Sequence, residues 1–110
     1  MMNIDINNLK SLIEIPLDAE PNYSFDIFLA DKSYQIKIRT FVNNDTRISI
    51  FNDNEIIADN APINMYSKNL AFYSNFKNGV FFFLRNVNMK NEPTFLNFNE
   101  NDLRLFYGDI

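Results

Sequence analysis

The stretch YSFDIFLADKSYQIKIRTF, residues 23–41, decides the fold. Over residues 23–30 the side chains alternate. Tyr23, Phe25, Ile27 and Leu29 fall in one phase, with Ser24 and Asp26 in the other. Asp31-Lys32 interrupts the pattern, and residues 33–41 resume it. Tyr34, Ile36 and Ile38 then occupy the apolar phase, and Gln35, Lys37 and Arg39 the polar one. A period of two with opposite polarities is the mark of a strand with one buried and one wet face. Two such strands around so short a connection predict an antiparallel hairpin.

The rhythm continues outward. Asn43-Asn44-Asp45 and Asn52-Asp53-Asn54 are turn clusters, and between them residues 47–51 put Ile48 and Ile50 on one face. Residues 55–58 make a further short strand, and residues 60–67, with Pro62, a loop or bent edge. Upstream, residues 12–17 form a short strand ended by Pro16, as suits an edge. Residues 18–22 are a turn cluster. Downstream, residues 69–73 are apolar and aromatic. Phe76-Lys77-Asn78-Gly79 predicts a hairpin turn in which Asn-Gly takes positive φ. Residues 80–85, Val-Phe-Phe-Phe-Leu-Arg, do not alternate and so predict a strand covered on both faces. A polar loop over residues 86–93, one helical turn within 94–102 and a last strand over 104–107 complete the chain. No long window keeps a 3.6 period. The fold class is all-β: one small antiparallel barrel or sandwich of about seven strands over residues 11–110, preceded by a polar tail, residues 1–10.

Composition removes much chemistry. The 110 residues include no cysteine, histidine or tryptophan. That excludes thiolate nucleophiles, zinc–thiolate sites and imidazole-based triads, and no cofactor or metal is expected. The net charge of −4 comes with scattered Lys and Arg, which opposes nucleic-acid binding. Residues 1–15 lack an apolar signal core, and the longest strictly apolar run is residues 80–84. Neither secretion nor a membrane partner is expected, since a helical span needs about 20 apolar residues. Asparagine occupies 19 positions, each tolerant of left-handed backbone at a turn. The oxygen-rich clusters at 52–55 and 97–102 lack the glycine and spacing of a calcium loop. The carboxylate pairs Asp18/Glu20 and Glu100/Asp102 each sit within one turn, not across a cleft as a glycosidase requires.

The aromatics are the excess. Ten of them fall in residues 70–107: Phe72, Tyr73, Phe76, Phe81, Phe82, Phe83, Phe95, Phe98, Phe106 and Tyr107. A small domain supplies one good apolar layer, so a doubly covered strand asks for a second. A protein partner would supply it, because aromatics are enriched at interface cores. Phe72, Tyr73, Phe76, Phe81, Phe83, Phe95 and Phe98 are the candidate assembly interface. A sugar-stacking or receptor-binding module is the rival reading, weakened by the missing tryptophan.

Three landmarks then align with a known family. Ile15-Pro16-Leu17 precedes Glu20-Pro21-Asn22-Tyr23-Ser24-Phe25; the hairpin of residues 25–39 follows; and the chain closes on apolar blocks at 70–73 and 78–84, a loop with Pro93, and Asp102-Leu103-Arg104-Leu105-Phe106-Tyr107. In this order the chain resembles the baseplate plug proteins of contractile-tailed phages over residues 13–108. It departs from their pattern where Tyr23 replaces a frequent Gln, where Asn and Asp replace glycines around the third and fourth strands, and where Asp102-Leu103-Arg104 replaces Asp-Leu-Gly. The resemblance implies a non-enzymatic subunit at the hub of a phage or prophage tail. It would be a three- or six-fold homo-oligomer contacting tube, hub or spike proteins, assembled in the host cytoplasm and residing in the virion tail baseplate.

Overall fold

The structure, a computed structural model, describes residues 11–29, 31–53, 55–63, 71–73, 79–86, 88–89 and 91–109. Residues 1–10, read as a tail, and the turn at Phe76 lie outside them.

The central hairpin forms as its alternation requires. Strands β2 (Tyr23–Leu29) and β3 (Lys32–Phe41) pair antiparallel, with Tyr23 opposite Ile38 and Leu29 opposite Lys32. Asp31 takes φ 63° at the connection, a conformation its short polar side chain tolerates. A 3₁₀ turn, η1 (Val42–Asn44), leads into β4 (Asp45–Asn52), and Asn43 and Asn44 adopt φ 66° and 59° there. β5 (Glu55–Pro62) runs longer than its alternation suggests. Two register shifts against β4 and a left-handed Asn60 at φ 49° bend the strand, so Pro62 is absorbed at a sheet edge.

Four more strands build the second layer: β1 (Ser11–Ile15), β6 (Ala71–Tyr73), β7 (Gly79–Arg85) and β8 (Leu103–Asp109). The sheet orders are β1-β8-β7-β6 and β2-β3-β4-β5, and every ladder is antiparallel. The eight described strands thus make an open sandwich rather than a closed barrel. A second 3₁₀ turn, η2 (Phe95–Asn97), follows the polar loop. Thr94 caps it by accepting from the Leu96 N–H at 3.3 Å while donating its own N–H to Asn97 Oδ1 at 2.9 Å.

The core lies between the sheets. Tyr34, Ile36, Ile38, Ile48 and Ile50 of one layer meet Ile15, Phe81, Phe83, Leu105 and Tyr107 of the other, and all are buried. β7 is covered on both faces, as its unbroken apolar run predicts. Phe81 and Phe83 point into the core, while Val80 and Phe82 join Phe106 in a second buried cluster on the opposite face. The Phe82 and Phe106 rings stack at 5.7 Å.

Two carboxylates stiffen the surface. Arg104 holds Glu14 through both guanidinium arms, Nη2–Oε1 2.5 Å and Nε–Oε2 3.2 Å, tying β8 to β1. This hydrogen bonding keeps the Glu14 carboxyl below its ordinary 4.5. Donation from Asn97 and Asn99, each at 3.1 Å, does the same for Asp102. A depressed folded pKa gives stability that is present above the unfolded value and lost as pH falls through the folded one. Urea midpoints should therefore hold from neutrality to about pH 5 and decline below it. The double variant Glu14→Gln/Asp102→Asn should decline less steeply. An equal acid loss in both proteins would show that these contacts play no part.

Candidate assembly surface

The outer face of the β2–β5 sheet follows from the polar phase of the same alternation. It carries Lys37 and Arg39 on β3 and Arg47 on β4. Arg39 stands directly opposite Arg47, a like-charged pair that costs stability in a sheet. Asp45 offsets Arg47, accepting from Nη2 at 3.0 Å and Nε at 3.1 Å, and Asn60 O accepts at 3.2 Å. Lys37 lies over the Phe51 ring at 5.7 Å and Arg47 over Phe41 at 5.9 Å. A groove of about 510 Å³ runs beside Lys37, Arg39 and Phe41.

Three exposed apolar side chains lie near the β3–β4 connection, among the exposed Asn43 and Asn44. Phe41, Val42 and Leu96 are 48 %, 84 % and 62 % exposed. The Thr46 hydroxyl brings them together: it contacts Thr40 Oγ1 at 3.0 Å and accepts the Phe95 N–H at 3.0 Å, which pins η2 beside the β3–β4 connection. Phe28, 70 % exposed, lies at the far end of the same sheet, opposite Ser33. Ser33 and Phe41 are eight residues apart on β3, so these two exposed rings are separated by roughly 26 Å. That is too far for one sugar to stack on both.

A third feature lies on the other side of β2. Residues 16–22 fold back beside the strand, and the Tyr23 hydroxyl fastens them. It accepts from the Asp18 N–H and donates to the Asp18 carbonyl, both at 2.9 Å. Burial pushes this hydroxyl up to about 12. The resulting stability is full below the ordinary tyrosine value of 10.0 and is lost as pH rises through about 12. Tyr23→Phe should cost about 1 kcal/mol for the lost hydrogen bonds. It should also lose less stability than the native protein between those two pH values. Alkaline unfolding followed by circular dichroism, with tyrosinate absorbance alongside, reads both effects.

Three of the aromatics selected from the sequence are buried between the sheets. Phe81, Phe83 and Phe98 are 0 %, 2 % and 4 % exposed and belong to the core, where Phe83 and Phe98 stack at 6.4 Å. Within the chain the two sheets bury them against each other. The second apolar layer, Val80, Phe82 and Phe106, is likewise covered within the chain. Phe95 is half-buried beside exposed Leu96. Phe72 and Tyr73 contribute backbone to β6, opposite Phe81 and Val80, and Phe76 lies outside the described residues. The exposed apolar residues that sequence reasoning misses do carry a signal: Phe28 and Phe41 occupy the polar phase of their strands. Among the described residues no group of three or more acidic side chains is placed to hold a metal ion.

Fold alone does not give function, so comparison with known proteins carries the assignment. No curated protein matches the chain. The model of the family described as cyanophage baseplate Pam3 plug gp18 matches residues 12–110, which takes in every strand but the first residue of β1. The chain therefore belongs to this family of phage baseplate plugs, and is a structural component of the tail baseplate that contacts other phage structural proteins.

Proposed function

We propose that the protein is a non-enzymatic hub subunit placed around the tail axis, where it connects tube, hub and spike proteins. The family match over nearly the whole chain carries this reading. The surface supports it. The core is closed within the chain, yet Phe28, Phe41, Val42 and Leu96 remain exposed, and Lys37 and Arg39 line a groove with Phe41. Exposed apolar groups next to cationic side chains suit docking to a complementary protein face. Copies would repeat with the three- or six-fold symmetry of the axis after folding in the host cytoplasm. Phe95 with Leu96 and Phe41 would form one contact of that arrangement.

Purified phage or prophage particles test the proposal. Mass spectrometry should find the protein in the tail, and electron cryo-microscopy should show its sandwich on the axis, between tube and spike. Its absence from intact particles, or a position on peripheral fibres, would overturn the reading.

A further inference from the structure

The free edge of β2 is built to receive another strand. The Thr40 N–H donates to Asn22 Oδ1 at 3.1 Å, so Thr40 directs its backbone groups to the β2 side of β3. The close Thr40–Thr46 hydroxyl contact at 3.0 Å agrees, because side chains approach most nearly in a pair that exchanges no backbone bonds. Counting back by twos, Ile38, Ile36 and Tyr34 bond to their partners Tyr23, Phe25 and Ile27. The backbone N–H and C=O of Ser24, Asp26 and Phe28 therefore turn outward. Among the described residues no strand pairs with them, and all three residues are exposed.

Beside this edge runs a groove of about 600 Å³ between β2 and the strap of residues 16–22. Tyr23, Phe25 and Ile27 give it a half-buried apolar wall. Asp18, Glu20 and Asp26 line it and, among the described residues, no lysine or arginine does, although Lys37, opposite Ser24, stands on the same outer face as Asp26. Soluble proteins usually blunt a free edge with lysine, proline, a bulge, very short length or a covering loop; the strap of residues 16–22 lies beside β2, but among the described residues no backbone hydrogen bond joins it to Ser24, Asp26 or Phe28. β2 has seven residues in unbroken register, contains neither lysine nor proline, and bears one charge, Asp26.

We propose that an extended segment of a neighbouring tail protein adds to β2 as a further strand, with Lys or Arg side chains meeting Asp26, Asp18 and Glu20. Main-chain hydrogen bonds supply affinity and the carboxylates select a basic segment. The proposal rests on the reading above, that other tail proteins hold the plug in place. A second copy is a poor occupant, because edge-to-edge pairing would bring two identical sets of three carboxylates together. The Tyr23 clamp on Asp18 keeps the groove open before the segment arrives, which lowers the ordering cost of binding.

Asp26→Pro tests the edge directly. It deletes one outward N–H and no bond of the sheet, and its φ near −65° is tolerated on an edge strand. The probe is a fluorescent ten-residue peptide of alternating Lys and Val, set beside its Glu/Val counterpart and read by anisotropy with the full chain. The Lys/Val peptide should bind saturably and the Glu/Val peptide should not. Asp26→Asn should weaken binding several-fold and flatten its salt dependence. Asp26→Pro should weaken it about tenfold with an unchanged melting temperature. If Asp26→Pro lowers the melting temperature, Ser24→Pro, which removes the adjacent outward N–H, replaces it. Equal binding of both peptides, no binding of either, or native-like binding by the proline variant would overturn the proposal. So would self-association of the chain that Asp26→Pro abolishes. Mass spectrometry of the particles separates the two readings: a plug present in virions but blind to the Lys/Val peptide refutes strand addition alone.

Discussion

Phe81→Ala is expected to cost about 3–5 kcal/mol, a large part of the about 5–15 kcal/mol that holds a domain together. The ring is fully buried at the centre of β7. It meets Tyr34 edge-on at 5.1 Å and Tyr107 at 5.0 Å, so its removal leaves a cavity walled by two large rings from both sheets. Such rings collapse poorly, because their own packing fixes them. Phe82→Ala, one residue on, probes the opposite layer. Phe82 is 1 % exposed and stacked on Phe106, so it should cost about as much in the isolated chain. Phe28→Ala, at a 70 % exposed position, should stay within about 0.5 kcal/mol of the native protein. Urea unfolding followed by far-ultraviolet circular dichroism measures all three, since there is no tryptophan to report. A neutral Phe82→Ala beside a costly Phe81→Ala would mean that the outer layer opens in solution and serves as a docking face.

That contrast also marks how far the amino-acid pattern reaches. Residues 23–41 alternate cleanly, so the hairpin, its inward set and its register phase are all legible in the sequence. The unbroken run at 80–84 announces a strand buried on both faces, and it is one. What the run cannot announce is who covers it. Burial on two faces needs two layers, but local sequence does not say whether the second belongs to the same chain. The aromatic surplus therefore points toward partners, whereas Phe81, Phe83 and Phe98 close the core. The length of β5 is hidden for a related reason. It depends on register shifts against β4 and on the left-handed Asn60, and neither leaves a mark on alternation. Part of the exposed surface, by contrast, is legible. Phe28 and Phe41 interrupt the polar phase of their strands, so their exposure can be read from the alternation, although a single exposed ring is ordinary on a protein surface. The free edge of β2 lies beyond sequence altogether, because which strand ends a sheet is a property of topology.

Gly79→Ala should destabilise the protein by about 1–2 kcal/mol net, and Gly79→Val by more. The Asn-Gly pair suggests a glycine needed for positive φ, but among the described residues no glycine has one. Gly79 instead begins β7 in ordinary strand geometry, opposite Asp109. A Cβ there would sit 2.5 Å from the Tyr107 hydroxyl oxygen and 2.9 Å from its Cε2. Two effects then compete. Restricting the unfolded chain favours alanine by about 0.4–1 kcal/mol. Overpacking opposes it by about 1–3 kcal/mol, and it wins only if the Tyr107 ring cannot move. That ring is 1 % exposed and held by Phe81 at 5.0 Å and Tyr34 at 6.1 Å, so it cannot swing aside without disturbing the centre of the core. A double-mutant cycle decides the matter. In a Tyr107→Ala background the clash is gone, and Gly79→Ala should turn neutral or mildly stabilising, giving a coupling of about 1–3 kcal/mol. If Gly79→Ala proves harmless with Tyr107 intact, the ring is mobile. The stacked centre of Tyr34, Phe81 and Tyr107 would then be looser than its burial implies, and the Phe81→Ala penalty should shrink with it.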